Sequence, residues 1–139
     1  MPVFLGVDLG EKRVGVARSD ETGTIAEAFA TFTYLGKKDL ARQLKEFVET
    51  CRPAKVVVGL PTTLRGEEGP AAKKVIERVD WLRTQVPAEW VLWDERLTTA
   101  EAERILLEAD LSRSKRREVR DRLAAQRILQ SYLDAVKHV

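Results

Sequence analysis

Val3-Phe-Leu-Gly-Val-Asp8-Leu-Gly10-Glu-Lys-Arg13-Val-Gly-Val-Ala17-Arg-Ser-Asp20 divides into two apolar runs around a turn. The first, Val3 to Asp8, ends in a single acid. Leu9-Gly10-Glu11-Lys12 supplies the turn, and Arg13 to Arg18 forms the second run. Two short apolar runs joined by a glycine-containing turn predict a β-hairpin. Asp8 then stands at the mouth of a sheet, where one acid organises a turn and several acids make a site.

Outward from this hairpin, Thr24 to Tyr34 follows the turn signal Glu21-Thr22-Gly23 and alternates in part, which predicts a third strand and an antiparallel meander. The period then changes. Leu40, Leu44, Phe47 and Val48 fall on one face of a helix over Lys38 to Cys51, closed by Arg52-Pro53. Lys55 to Leu60 contains three consecutive valines, the pattern of a strand covered on both faces. Pro70 opens a helix over Ala71 to Gln85, with Val75, Ile76, Val79 and Leu82 as its buried stripe. Trp90 to Trp93 is a further strand that runs into Asp94-Glu95-Arg96. Thr98 or Thr99 caps a helix carrying Ala102, Ile105 and Leu106. Ser114 to Val136 is the longest helix, with a wide apolar face. Helix-linked strands after a meander predict an α/β fold, a mixed sheet with helices on both faces.

The 139 residues are expected to form one domain, 1–139, around one core. With 44% hydrophobic and 33% charged residues the composition is globular and not disordered. The N-terminal apolar run is too short for a membrane span and has no signal-peptide pattern, so a cytoplasmic protein without membrane association is expected. One cysteine, Cys51, and one histidine, His138, exclude an internal disulfide and a Cys/His zinc site; any metal must take oxygen ligands. Net charge is only +2, yet Arg113, Lys115, Arg116, Arg117, Arg120 and Arg122 crowd ten residues that contain two acids. Such a run can follow a phosphate backbone or form a solvated helix face.

Ligands of α/β sheets gather beyond the carboxyl ends of the parallel strands. Asp8 follows the first strand and Asp94-Glu95 the last, so parallel neighbouring strands would bring these acids to one end of the sheet. Asp121 precedes Ala125 by four residues and Ile128 by seven, which aligns it with the inward face of the last helix. Taken singly, Asp8 organises a turn, Asp94 caps a loop against Arg96, and Asp121 pairs with Arg117 or Arg122. Taken together beside a basic helix, the acids form a candidate metal site. A hard cation such as Mg²⁺ or Mn²⁺ relieves the repulsion of crowded carboxylates, and two such ions can assist phosphodiester hydrolysis.

Four blocks carry a family resemblance: Gly6 to Asp20, Val57-Val-Gly-Leu-Pro61 with Gly66 and Gly69-Pro70, Asp94-Glu-Arg-Leu-Thr-Thr99, and Asp121-Arg-Leu-Ala-Ala-Gln126. In this order, and across nearly the whole chain, they resemble the YqgF family, also called RuvX or Holliday-junction-resolvase-like, which has a ribonuclease H-like fold. The resemblance implies a five-stranded mixed sheet and a nuclease site formed by Asp8, Asp94 or Glu95, and Asp121. It implies hydrolysis of phosphodiester bonds with Mg²⁺ or Mn²⁺, with two ions expected, and a role in 5′-end maturation of pre-16S ribosomal RNA. Lys12, Arg13, Arg18 and Arg96 would flank the scissile phosphate, with Arg65 and the basic cluster from Arg113 to Arg122 holding more distant ones. The alternative enzyme is a resolvase cutting branched DNA; the non-enzymatic alternative is an idle RNA-binding module, whose signature would be a missing acid. An actin-like phosphotransferase would need two lobes and a longer chain.

Overall fold

The structure is a computed structural model that describes residues 3–61, 69–94 and 113–137, with side chains of the last segment described over 123–136. Five strands form one sheet: β1 (Phe4–Leu9), β2 (Arg13–Ser19), β3 (Ala26–Thr33), β4 (Lys55–Leu60) and β5 (Trp90–Asp94). Between and after them run α1 (Lys37–Cys51), α2 (Pro70–Gln85) and α3 (Arg113–Lys137). The helix expected after Thr98 or Thr99 lies outside the described residues.

Strand order is β3-β2-β1-β4-β5. The hairpin pairs antiparallel, with Asp8 opposite Gly15, and β3 extends it antiparallel on the far side of β2. Both β4 on β1 and β5 on β4 are parallel. The first and last strands are therefore parallel but not neighbours, because β4 lies between them. The valines of β4 suit that central place, since a strand covered on both faces has no polar side to offer.

Period two sorts the strand residues onto two faces. Leu5, Val7, Leu9, Val14, Val16, Val56 and Val58 join Leu40 and Leu44 of α1 and Val75, Val79 and Leu82 of α2 in the larger core. Ala17, Ala26 and Val57 join Ala125, Ile128, Leu129, Tyr132 and Leu133 of α3 in the second. Helix α1 ends where Arg52 adopts a left-handed conformation (φ 46°) and its amide returns to Val48 O at 2.8 Å, just before Pro53, which cannot continue a helix.

Helix α3 lies close against β1. A Cβ built on Gly6 would stand 2.6 Å from Leu129 Cβ and 3.0 Å from the Ala125 carbonyl oxygen, so only glycine admits the helix at this distance. Phe4 packs on Tyr132 with ring centroids 6.1 Å apart. Trp93 meets the same tyrosine edge-on at 5.3 Å and donates its indole N–H to Ser131 Oγ at 3.1 Å. Helix α3 also completes the start of β3: Ala26 N–H donates to Gln130 Oε1 (2.8 Å), Gln130 Nε2 to Thr24 O (3.0 Å) and Gln126 Nε2 to Ala26 O (3.0 Å).

Candidate functional site

Asp8 lies one residue before the end of β1 and, by alternation, on the face of Phe4 and Gly6, beneath α3. Its neighbours across the sheet are glycines. Gly15 pairs with it directly, and on the other side the residue following Val58, the partner of Val7, is Gly59. The next place in that row is Trp93, the partner of Gly59. Asp8 is half-buried and the residues next to it on both adjacent strands are glycines, a setting whose donor chemistry fits an oxygen-liganded cation.

The chain directions bring α3 to this place. Phe4 lies under Tyr132 and Gly6 under Leu129 and Ala125, so moving along β1 toward Asp8 means moving toward lower numbers on α3. Four helical residues rise about 6 Å, close to two residues of strand. One further step from Ala125 reaches position 121, which places Asp121 on the turn of α3 at the Asp8 end of the sheet. Residues 113–120 continue the helix for about 12 Å beyond it, and among them are Arg113, Lys115, Arg116, Arg117 and Arg120.

Asp94 closes β5 opposite Leu60. It shares the carboxyl end of the sheet with Asp8, two strands away, but alternation sets it with Trp90 and Leu92 on the α2 face, whereas Val91 and Trp93 take the α3 face. Glu95, Arg96 and Arg65 lie outside the described residues. Among the described residues no three Asp, Glu, His or Cys side chains form a metal-sized group.

The cations divide. Arg13 begins β2 and shares the face of Gly15, beside Asp8; Lys12 is exposed in the preceding turn. Arg18 is not brought to Asp8. It pairs with Leu5 near the opposite end of β1, and its guanidinium stacks on Phe29 at 4.3 Å from the ring centroid. That aromatic partner comes from β3, where the register shifts after Val16, and strand spacing alone did not reveal it.

The turn beside Asp8 is tightly held. Gly10 N–H donates to Asp8 O at 3.2 Å, and a Cβ on Gly10 would approach Arg13 O to 2.5 Å. Arg78 of α2 donates to Gly10 O at 3.3 Å, Lys74 pairs with Glu11 at 3.5 Å, and Tyr34 N–H donates to Lys12 O at 2.8 Å. Sequence reading passed over Arg78; its place on α2 three residues after Val75 and one before Val79 marks the edge of the buried stripe.

The model of the family described as "RuvX: Holliday junction resolvase" matches residues 2–135. A relative from Thermoanaerobacter pseudethanolicus is 44% identical over 136 residues, covering 97% of this chain and 98% of its own. One from Caldanaerobacter subterraneus subsp. tengcongensis is 46% identical over 135 residues, covering 96% and 97%. Both carry the name "Putative pre-16S rRNA nuclease". Among solved structures, the Thermus thermophilus RuvC complex with a Holliday junction substrate matches with a TM-score of 0.59 at 15% identity, over 97% of this chain and 96% of that one. The fowlpox virus resolvase in complex with Holliday junction DNA matches at 0.60 and 12% identity, over 96% and 98%. These two bear out the ribonuclease H-like arrangement of the mixed sheet.

Proposed function

The chain belongs to the RuvX family, and from that premise we propose that it is a divalent-metal-dependent nuclease that hydrolyses phosphodiester bonds in structured RNA, acting on the 5′ end of pre-16S ribosomal RNA. The observation that carries the reading is Asp8, set between two glycines at the carboxyl end of the sheet, with the helical turn of Asp121 crossing the same end. Relatives at 44% and 46% identity named for pre-16S rRNA favour RNA over branched DNA as the substrate.

Asp8, Asp121 and one of Asp94 and Glu95 would hold Mg²⁺ or Mn²⁺; because Asp94 falls on the α2 face, Glu95 is the member of the pair we favour. Two bound ions, when present, lower the pKa of an attacking water and neutralise the leaving oxygen. The protein's own part is positioning. The acids would hold the ions, Arg13, Lys12 and Arg96 would draw the scissile phosphate to the strand ends, and the basic turns of α3 from Arg113 to Arg120, with Arg65, would hold more distant phosphates. Arg78 donates to the Gly10 carbonyl and so helps to hold the turn that follows Asp8. No described helix is long and apolar enough to cross a membrane.

The test is cleavage of a pre-16S-like RNA and of a matched four-way DNA junction by purified protein with Mg²⁺ or Mn²⁺. Asp8→Asn should lower RNA cleavage by more than about 100-fold, since losing even a group that supports a metal ligand costs ~10–100-fold. Equal activity of variant and wild type would assign the chemistry elsewhere, and preferential cleavage of the junction would replace the RNA reading with the resolvase one.

A further inference from the structure

On the sheet face away from Asp8, α1 and α2 border two open, adjoining hollows of ≈ 420 Å³ and ≈ 230 Å³ that share Trp81 as a wall. The larger is lined on the α1 side by Lys38, Arg42 and Lys45, spaced i, i+4 and i+7 so that they form one stripe. The smaller holds Lys37 and Arg78 against a single acid, Glu77. Both of these cations sit on aromatic rings, Lys37 over Trp81 at 5.0 Å and Arg78 over Tyr34 at 4.4 Å. Arg42 is partly neutralised, by a hydrogen bond to Asp39 and by Glu46 at 3.9 Å; no salt bridge joins Lys38 or Lys45 to an acid among the described residues.

Like charges at helical spacing repel, and beside them the Trp81 indole packs on the larger core but is not fully buried. Cations along a groove with an aromatic wall are the combination that holds a single-stranded nucleic acid, phosphates on the cations and a base on the ring. The groove also connects with the proposed site. Tyr34 bonds Lys12, and Arg78 bonds Gly10, so the smaller hollow opens against the turn that follows Asp8.

We propose that the α1–α2 groove binds a single-stranded nucleic-acid segment, with its phosphates on Lys38, Arg42 and Lys45 and a base against Trp81. The further assignment of that segment as the strand flanking the cleavage point rests on the nuclease reading above; the binding itself does not.

The experiment titrates fluorescent oligouridylate and oligodeoxythymidylate into the full chain over a range of salt. Wild type is compared with the triple variant Lys38→Ala/Arg42→Ala/Lys45→Ala and with Trp81→Phe, and circular dichroism checks that each is folded. The triple variant should bind more than about tenfold more weakly at low salt and flatten the plot of log K against log salt by about 2, near 0.7 for each phosphate that no longer meets a cation. Trp81→Phe should reduce the tryptophan quenching that oligonucleotide causes in the wild type, leaving only what Trp90 and Trp93 contribute, while keeping most of the affinity. Tighter binding of the RNA or of the DNA probe names the polymer, and either supports the groove. An unchanged slope and affinity in the triple variant would overturn the proposal, as would polyglutamate binding in place of both probes, which would make the groove a seat for an acidic protein. Cleavage is scored separately: if wild type cut neither RNA nor DNA with Mg²⁺ or Mn²⁺ while the triple variant lost binding, the nuclease reading would fall and the groove would stand.

Discussion

The two faces of the sheet meet their helices differently. Toward α1 and α2 the strands present Leu5, Val7, Leu9, Val14, Val16, Val56 and Val58, branched side chains that keep the helices at arm's length and fill the space between. Toward α3 they present Gly6, Gly15 and Ala17 along β1 and β2, and the helix comes down until Leu129 and Ala125 touch the strand backbone. A thick aliphatic layer supplies stability and tolerates small shifts of its helices. A thin one fixes the height and register of a helix, which is what a helix carrying the proposed ligand Asp121 toward the strand ends requires.

Removing buried volume from the thick face gives the larger stability change. Leu44, 1% exposed at the centre of the larger core, should cost about 2–5 kcal/mol when cut to alanine, measured by urea unfolding. Cleavage per folded molecule at saturating RNA should be unchanged, since the defect lies across the sheet from Asp8. If activity fell further than the folded fraction, the faces would not be independent and the division of labour would fail.

Adding volume to the thin face should do the reverse. Gly6→Ala puts a methyl 2.6 Å from Leu129 Cβ, and overpacking of this kind costs roughly 1–3 kcal/mol. The helix must rise or slide to relieve it, carrying position 121 away from Asp8, so cleavage should fall by more than the loss of stability explains. Combining Gly6→Ala with Leu129→Gly, which removes the Cβ that the new methyl meets, tests the cause. Restored activity would identify the helix height as the controlling variable; no restoration would place the damage in β1 itself.

How much of this is legible in the chain depends on whether the signal is local. The valine run gives β4 to the residue, Lys55 to Leu60, because an unbroken apolar run with Pro61 after it has few other interpretations. Helix α1 begins one residue earlier than its apolar period suggests, at Lys37 after Gly36. Strand β3, expected from Thr24, begins at Ala26, because the amides of Thr24 and Ile25 go to the Asp20 carboxylate and not to a neighbouring strand. Position in the sheet is less accessible. Nothing local says that β4 separates β1 from β5, or that Asp94 falls on the α2 face, since both follow from which strands pair. The close approach at Gly6 has a faint sign in the shared parity of Gly6 and Asp8. The cations at 38, 42 and 45 form a readable helical stripe but pass for ordinary surface charge until Trp81 is set beside them.

Acid should probe the same asymmetry, with the smallest effect. The Asp20 carboxyl is held at about 2, below its usual 3.8, by the Thr22 hydroxyl first and then by the amides of Ile25 and Thr24. Because the folded value is the lower one, this anchor contributes in full above the unfolded value and is lost as pH falls from about 4 to about 2. The turn it closes leads into Thr24 and Ala26, whose backbone groups Gln126 and Gln130 of α3 also hold. On the other side, Asp39 in the first turn of α1 is lowered by Gln43 and then by Arg42, but its partners all belong to α1 itself. Hydrogen exchange followed down through this range should therefore show the amides of residues 24–26 losing protection before those of α1, and Asp20→Asn should remove that step while Asp39→Asn leaves it. Early loss in α1 would mean that the thick face, not the thin one, yields first to protonation. In that case the close packing of α3 over Gly6 would have to be holding the start of β3 without help from the turn.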